Sequence, residues 1–274
     1  MNSLPSLFLS HGAPDLPLRR EAVTQFLRSL HRQFPKPQSI LVISAHWSTE
    51  LPLVSAATQP QTIYDFAGFP QQLYQLTYPA PGAPELAQRV VGLLTQAGIA
   101  CATHPSRGFD HGTWTPLLLA YPDADVPVTQ LSIQASRGPA HHWKLGQALA
   151  SLRHEGVLII GSGSATHNLF ALNSPSASPP AWVTEFDEWL AGAIAQGDYP
   201  ALLNYRQLAP HAQKNHPTEE HLLPLFVAMG AAGEGAKGIR LHQSYTYGVL
   251  SMAAFAFTTT TLNSKGDNPW PLAG

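Results

Sequence analysis

The sequence predicts an α/β fold: one domain with a central, mostly parallel mixed sheet flanked by helices. Three observations carry that expectation. Short runs that are apolar on both faces recur at residues 6–10, 39–45, 127–133 and 156–162, as buried parallel strands require. Segments with helical spacing of apolar residues alternate with them. Finally, 274 residues with 44% hydrophobic content can bury one large core, and neither a fixed-period repeat nor a linker divides the chain.

Taken in order, residues 6–10 form a strand that closes at His11-Gly12. A helix over 20–34 carries Val23, Phe26, Leu27, Leu30 and Phe34 on one side and is ended by Pro35 and Pro37. The β-branched run 39–45 stops at His46-Trp47. A Phe- and Gly-rich loop at 62–70 leads into a helix near 71–76. The next helix, 83–97, has Pro84 in its first turn and Gly98 just past its end. An edge strand is expected at 99–103. The stretch Gly108-Phe109-Asp110-His111-Gly112 reads as a loop leading to a helix near 116–121. Strand 127–133, helix 143–153 and strand 156–162 follow. A Ser/Pro-rich loop at 173–180 precedes an amphipathic helix at 182–196. Pro217-Thr218-Glu219-Glu220-His221 has the composition of a helix start and predicts a helix running to Met229. A Gly/Ala loop at 230–238 and closing strands at 239–242 and 249–257 complete the domain, residues 1–257. Residues 258–274, with four consecutive threonines, lack periodicity and are expected to be a flexible tail.

Composition excludes several function classes. No apolar run approaches the roughly 18 residues of a membrane span. A net charge of −2 with 12% charged residues offers no basic stripe for a phosphate backbone, so neither a membrane nor a nucleic acid is an expected partner. The single cysteine, Cys101, rules out an intramolecular disulfide and thiolate zinc sites, and it predicts a reducing cytoplasm. The N-terminus has no basic segment of the secretory kind. Nothing in the sequence sets an oligomeric state.

The unusual number is thirteen histidines, close to the fifteen Lys and Arg residues. Neutral imidazole is a common metal ligand and a proton carrier near neutral pH. In open parallel sheets, ligands gather outside the carboxyl ends of strands. His11, His46 and His167 follow such ends, and His221, in a first helical turn, can point back toward the sheet. The expected metal site is therefore His11, His46, His167 and His221 at the strand carboxyl ends. His111, beside Asp110, suits either orienting a ligand ring or binding substrate, and His216 reads as supporting structure. The other seven histidines read as solvent-exposed. Gly161-Ser162-Gly163-Ser164 lacks the spacing of a nucleophile elbow, and neither the lysine of a phosphate loop nor a third glycine at dinucleotide spacing follows.

Six stretches in this order resemble the DODA-type extradiol aromatic ring-opening dioxygenases of the class III, protocatechuate-4,5-dioxygenase-like group. They are Leu9-Ser10-His11-Gly12-Ala13-Pro14, Ser44-Ala45-His46-Trp47, Asp65-Phe66-Ala67-Gly68-Phe69-Pro70, Gly108-Phe109-Asp110-His111-Gly112-Thr113-Trp114, Gly161 through Thr166-His167-Asn168-Leu169, and His216-Pro217-Thr218-Glu219-Glu220-His221 through Leu225. The resemblance spans about residues 5–257. It implies a metal held by His11, His46 and His221, with His167 beside it as acid/base and as a further ligand in zinc-loaded relatives. Wider members use a carboxylate as third ligand, and Glu220 adjoins His221.

The implied reaction is extradiol cleavage of a catechol ring, DOPA-like or otherwise substituted, by O2 at Fe(II), with Zn(II) able to occupy the same site. His167 and His111 are then the expected catalytic residues, and Phe66, Phe69, Trp47 and Trp114 candidate pocket walls. Arg107, Arg137, Lys144 and Lys214 are candidate partners for a substrate carboxylate. Two alternatives are a zinc hydrolase on the same ligands, with His167 or Glu220 as base, and a metal-binding protein without turnover.

Overall fold

The computed structural model describes residues 3–259. Ten strands are present among them: β1 (Ser6–Ser10), β2 (Ser39–Ser48), β3 (Leu53–Ser55), β4 (Ala102–His104), β5 (Val128–Ile133), β6 (Val157–Gly163), β7 (Lys237–His242), β8 (Tyr245–Thr246), β9 (Leu250–Ser251) and β10 (Ala254–Thr258). Eight of them form one sheet in the order β4-β3-β5-β2-β6-β1-β10-β7, and β8 and β9 pair as a separate hairpin. The four central strands β5, β2, β6 and β1 are mutually parallel, while β10 and β7 close one side antiparallel. On the other side β3 meets β5 through one antiparallel pair, Val54 with Leu131, and pairs in parallel with β4.

Among the described residues nine α-helices surround the sheet: α1 (Ala22–Ser29), α2 (Pro84–Gln96), α3 (His111–Ala120), α4 (Gly138–Leu149), α5 (Ala181–Gln196), α6 (Tyr199–Leu203), α7 (Tyr205–Leu208), α8 (Ala212–Asn215) and α9 (Leu223–Ala231). Alternation along the central strands divides their side chains between two cores. Leu7, Leu9, Ile40, Val42, Leu158 and Ile160 pack with Val23 and Leu27 of α1 and with Trp114 and Leu117 of α3. Phe8, Leu41, Ile43 and Ile159 pack on the opposite face with α2, α4, α5 and α9. Every residue of α9 is buried, which is why that helix is apolar all round rather than amphipathic. Among the described residues no helix is long and apolar enough to cross a membrane.

Several boundaries differ from those the sequence predicts. Helix α3 begins at His111, five residues before the expected start, so His111 is helical rather than in a loop. Gly112 and Pro116 argue locally against a helix, but a fully buried Trp114 and Leu117 hold the segment in one. Helix α4 starts at Gly138, and residues 150–155 continue as a 3-10 turn. Likewise 71–75 is a 3-10 turn. Helix α9 begins at Leu223, so 217–222 is a turn rather than a first helical turn. The expected strand 249–257 is broken into β9 and β10, and β3, α6, α7 and α8 are additional. Thr258 ends β10; of the expected tail, 260–274 lies outside the described residues.

Candidate metal centre

Each of three histidines reaches the carboxyl edge of the sheet by a different local device. His11 directly follows β1 and is tied to β6, its backbone N–H donating to Gly163 O at 3.0 Å. His46 lies within β2, where pairing with β5 shifts register between Ile43 and Ser48. Such an irregularity re-aims side chains near the end of a strand. His221 sits in the turn ahead of α9, pinned by Ser164 N–H donating to its carbonyl at 2.9 Å. Two glycines of β6 permit that approach. A Cβ at Gly163 would lie 2.0 Å from His221 O, and one at Gly161 would lie 2.2 Å from Pro224 O. The Gly161-Ser162-Gly163 motif is thus the floor on which the His221 segment rests.

The three rings converge through their Nε2 atoms. His46 Nε2 is 3.0 Å from His11 Nε2 and 3.3 Å from His221 Nε2. The other ring nitrogens face outward to oxygens: His11 Nδ1 is 3.0 Å from Ser162 Oγ, His221 Nδ1 is 3.2 Å from Glu220 Oε1, and His46 Nδ1 is 3.7 Å from Asp65 Oδ2. A proton on each Nδ1, where an oxygen faces it, leaves three lone pairs pointing at one another. That arrangement is repulsive unless a cation lies among them. A metal about 2.0–2.1 Å from each nitrogen gives ligand separations of about 3.0 Å at right angles and about 3.3 Å in a tetrahedron. The donor set therefore fits a metal ion.

Burial keeps these imidazoles neutral, as ligands must be. His11 and His221 are held well below the usual histidine range, first by burial and then by neighbouring histidines, His46 foremost for His11 and His167 for His221. Burial and the neighbouring His111 depress His46 to about 3, against the pull of Asp65.

Around the trio stand the remaining expected residues. The His167 ring stacks on that of His221, with centroids 3.4 Å apart and planes 10° from parallel. It groups with Glu220 and His221 rather than with His11 and His46. Its backbone N–H donates to Asn215 O at 2.9 Å, and burial depresses its pKa to about 4. His111 packs against His46, centroids 3.9 Å apart. Asp65 Oδ1 accepts from both the backbone N–H and Nδ1 of His111, at 3.0 and 2.9 Å, so this carboxylate caps α3 and orients the ring together. Burial would raise the Asp65 pKa, but the His111 hydrogen bonds hold it at about 2. Glu220 is turned to Thr218 Oγ1 and to the outward nitrogen of His221. His216 is fully buried, with Nε2 2.9 Å from Ala165 O. His142, expected to be exposed, is also fully buried.

Among the candidate wall residues, Phe66 is in ring contact with His111, Phe69 and Trp114. Trp47 instead contacts His104 and the Arg107 guanidinium, and Arg107 is itself paired with buried Asp110 at 3.0 Å. Sequence reasoning did not single out Asp65 or Ser162 as partners of the histidines. The signal for Asp65 was its place in the Phe/Gly-rich loop; Ser162 had none beyond its glycine neighbours.

A mostly parallel sheet with a cluster of neutral imidazoles near its carboxyl edge is the arrangement expected of an enzyme that binds a non-haem metal. The chain belongs to the family described as the catalytic LigB subunit of aromatic ring-opening dioxygenase, which it matches over residues 5–257. It is 46% identical over 263 residues to a Beta vulgaris protein named 4,5-DOPA dioxygenase extradiol, covering 94% of this chain and 98% of that one. An Escherichia coli K12 protein of the same name is 43% identical over 232 residues, 83% of this chain and 85% of its own. A solved structure of an uncharacterized Escherichia coli K12 protein superposes with a TM-score of 0.77 at 35% identity, covering 92% of this chain and 99% of that one. The chain is accordingly an extradiol ring-cleavage dioxygenase, an enzyme that incorporates O2.

Proposed function

We propose that the substrate is a catechol with a DOPA-like side chain, and that the working metal is Fe(II) held by Nε2 of His11, His46 and His221. The observation that carries this reading is the convergence of three neutral Nε2 atoms with His167 and His111 flanking them. Three ligands from the protein leave coordination positions for a diol and for O2. Bound there, Fe(II) supplies electron transfer between an electron-rich catecholate and O2.

The chain's own residues would handle protons and orientation. His167, depressed to about 4 by burial, is neutral at physiological pH and so has a lone pair free to take a proton from a catechol hydroxyl and return it as the ring opens. His111, its Nδ1–H held by Asp65, keeps the Nε2 lone pair free to accept a hydrogen bond from a substrate hydroxyl. Phe66 and Phe69 supply apolar contact for the ring, supported by the packing of Phe66 on His111. The relatives' name supports a DOPA-like substrate. Lone Cys101, whose thiol burial pushes up to about 11, is consistent with a cytoplasmic setting.

The test is anaerobic reconstitution of metal-free protein with Fe(II) or Zn(II), followed by air and a panel of catechols. Fe(II)-dependent oxygen uptake with a yellow ring-opened product, fastest for DOPA, is expected. Activity confined to the Zn(II) form, on an ester or amide without oxygen uptake, overturns the proposal in favour of a hydrolase.

A further inference from the structure

Helix α3 carries Pro116 in its interior. In an α-helix the N–H of residue 116 would donate to the carbonyl of residue 112, but proline has no N–H. The Gly112 carbonyl, buried under the sheet edge, therefore needs another donor. Ser162 Oγ supplies it through a short hydrogen bond. Ser162 is fully buried and continues the row Leu158, Ile160 along β6, where a third apolar side chain would extend the core beneath α3. A serine stands there instead, one strand away from Ser44 of β2, which bonds Asp110 Oδ1 at 2.6 Å.

A hydroxyl has a single proton. With that proton committed to Gly112 O, Ser162 Oγ meets the His11 ring, 3.0 Å from Nδ1, as an acceptor only. We propose that Ser162 is a positioning residue for the metal: the carbonyl freed by Pro116 orients its hydroxyl, and the hydroxyl fixes His11 as the Nδ1–H tautomer, leaving the Nε2 lone pair for the ion. The inference rests on the reading of His11 as a ligand. It assigns to α3, which supplies no ligand to the trio, control over the protonation geometry of one. Outward partners of this kind fix ligand orientation, and their loss typically weakens metal binding about 10–100-fold.

The experiment compares Ser162→Ala with Ser6→Ala. Ser6 is equally buried and donates to a helix carbonyl, Ala228 O at 2.6 Å, so it controls for loss of a buried hydroxyl. Zn(II) serves as a redox-silent probe, measured by chelator competition on the full chain. Long-range 1H–15N correlation on the metal-free wild type reads the His11 tautomer directly. Expected are a proton on Nδ1 in the wild type, Zn(II) affinity lowered about 10–100-fold in Ser162→Ala, and affinity within about twofold of wild type in Ser6→Ala. A wild-type His11 protonated on Nε2, equal affinity in Ser162→Ala, or an equal loss in Ser6→Ala overturns the proposal. If Ser162→Ala does not fold, the wild-type tautomer alone decides. A wild type that binds Zn(II) no better than His46→Ala would instead defeat the metal-centre reading itself.

Discussion

Gly163→Ala isolates the contact that sets the height of His221 over the sheet. A methyl at residue 163 would stand 2.0 Å from the His221 carbonyl oxygen, where ordinary contact begins at 3.4 Å. About 1.4 Å must be found by moving the 217–222 turn away from β6. The turn cannot yield freely, because Ser164 N–H bonds that same carbonyl at 2.9 Å and the buried α9 follows at once. Overpacking of this kind costs about 1–3 kcal/mol of stability. A reacting group misplaced by about 1 Å costs about 100-fold in rate. The His221–His46 separation of 3.3 Å leaves little room to keep all three nitrogens on one ion. Gly192→Ala is the matched control: it lies inside α5, a Cβ there meets nothing within 4 Å, and a gain of about 0.5–1 kcal/mol is expected. Urea unfolding gives the stability change, and Fe(II) titration with oxygen uptake gives metal affinity and kcat. A Gly163→Ala protein with wild-type metal affinity and turnover would refute the argument that this close approach positions His221.

Three further outcomes follow from the same geometry. His167→Gln should lower ring opening by about 10²–10⁴-fold while leaving metal bound; loss of metal on elemental analysis would make His167 a required ligand instead. Asp65→Asn removes the carboxylate that holds His111 Nδ1 at 2.9 Å and faces His46, and should lower kcat about 10–100-fold without unfolding the chain; unchanged steady-state rates would contradict its orienting role. His142 is buried, accepts from Gln134 N–H at Nε2, and is depressed from 6.5 to about 4, chiefly by burial. The unfolded chain therefore binds the extra proton first, and stability falls as pH drops from 6.5 toward 4, by about 3 kcal/mol in all. In denaturant titrations across that range, the difference between wild type and His142→Gln should shrink by this amount; a constant difference would contradict it.

The parallel core was legible because β1, β2, β5 and β6 are apolar on both faces, and burial of both faces is what selects such runs. His11 and His46 stood out for a related reason, a polar ring at the end of an apolar strand, whereas His221 joins them from a turn and not from the helix start that its neighbours suggest. The start of α3 was not, because Gly112 and Pro116 carry local signals against helix that packing of Trp114 overrides. Helices α6, α7 and α8 each span only four or five residues, too short for a periodic pattern to emerge. The outward partners of the ligands lie furthest from view. Asp65, Ser162 and Glu220 become partners of His111, His11 and His221 only once register and turns are set, and apart from Glu220 none adjoins its histidine in sequence.

The claim on which the rest depends is that one cation binds the Nε2 atoms of His11, His46 and His221. Anomalous diffraction at the metal edge, from crystals of Fe(II)-loaded protein grown without oxygen, tests it directly. The account predicts one strong peak about 2.0–2.2 Å from those three nitrogens, with Ser162, Asp65 and Glu220 still on the Nδ1 side of each ring. A peak elsewhere, or coordination through Nδ1 of any of the three, would contradict it.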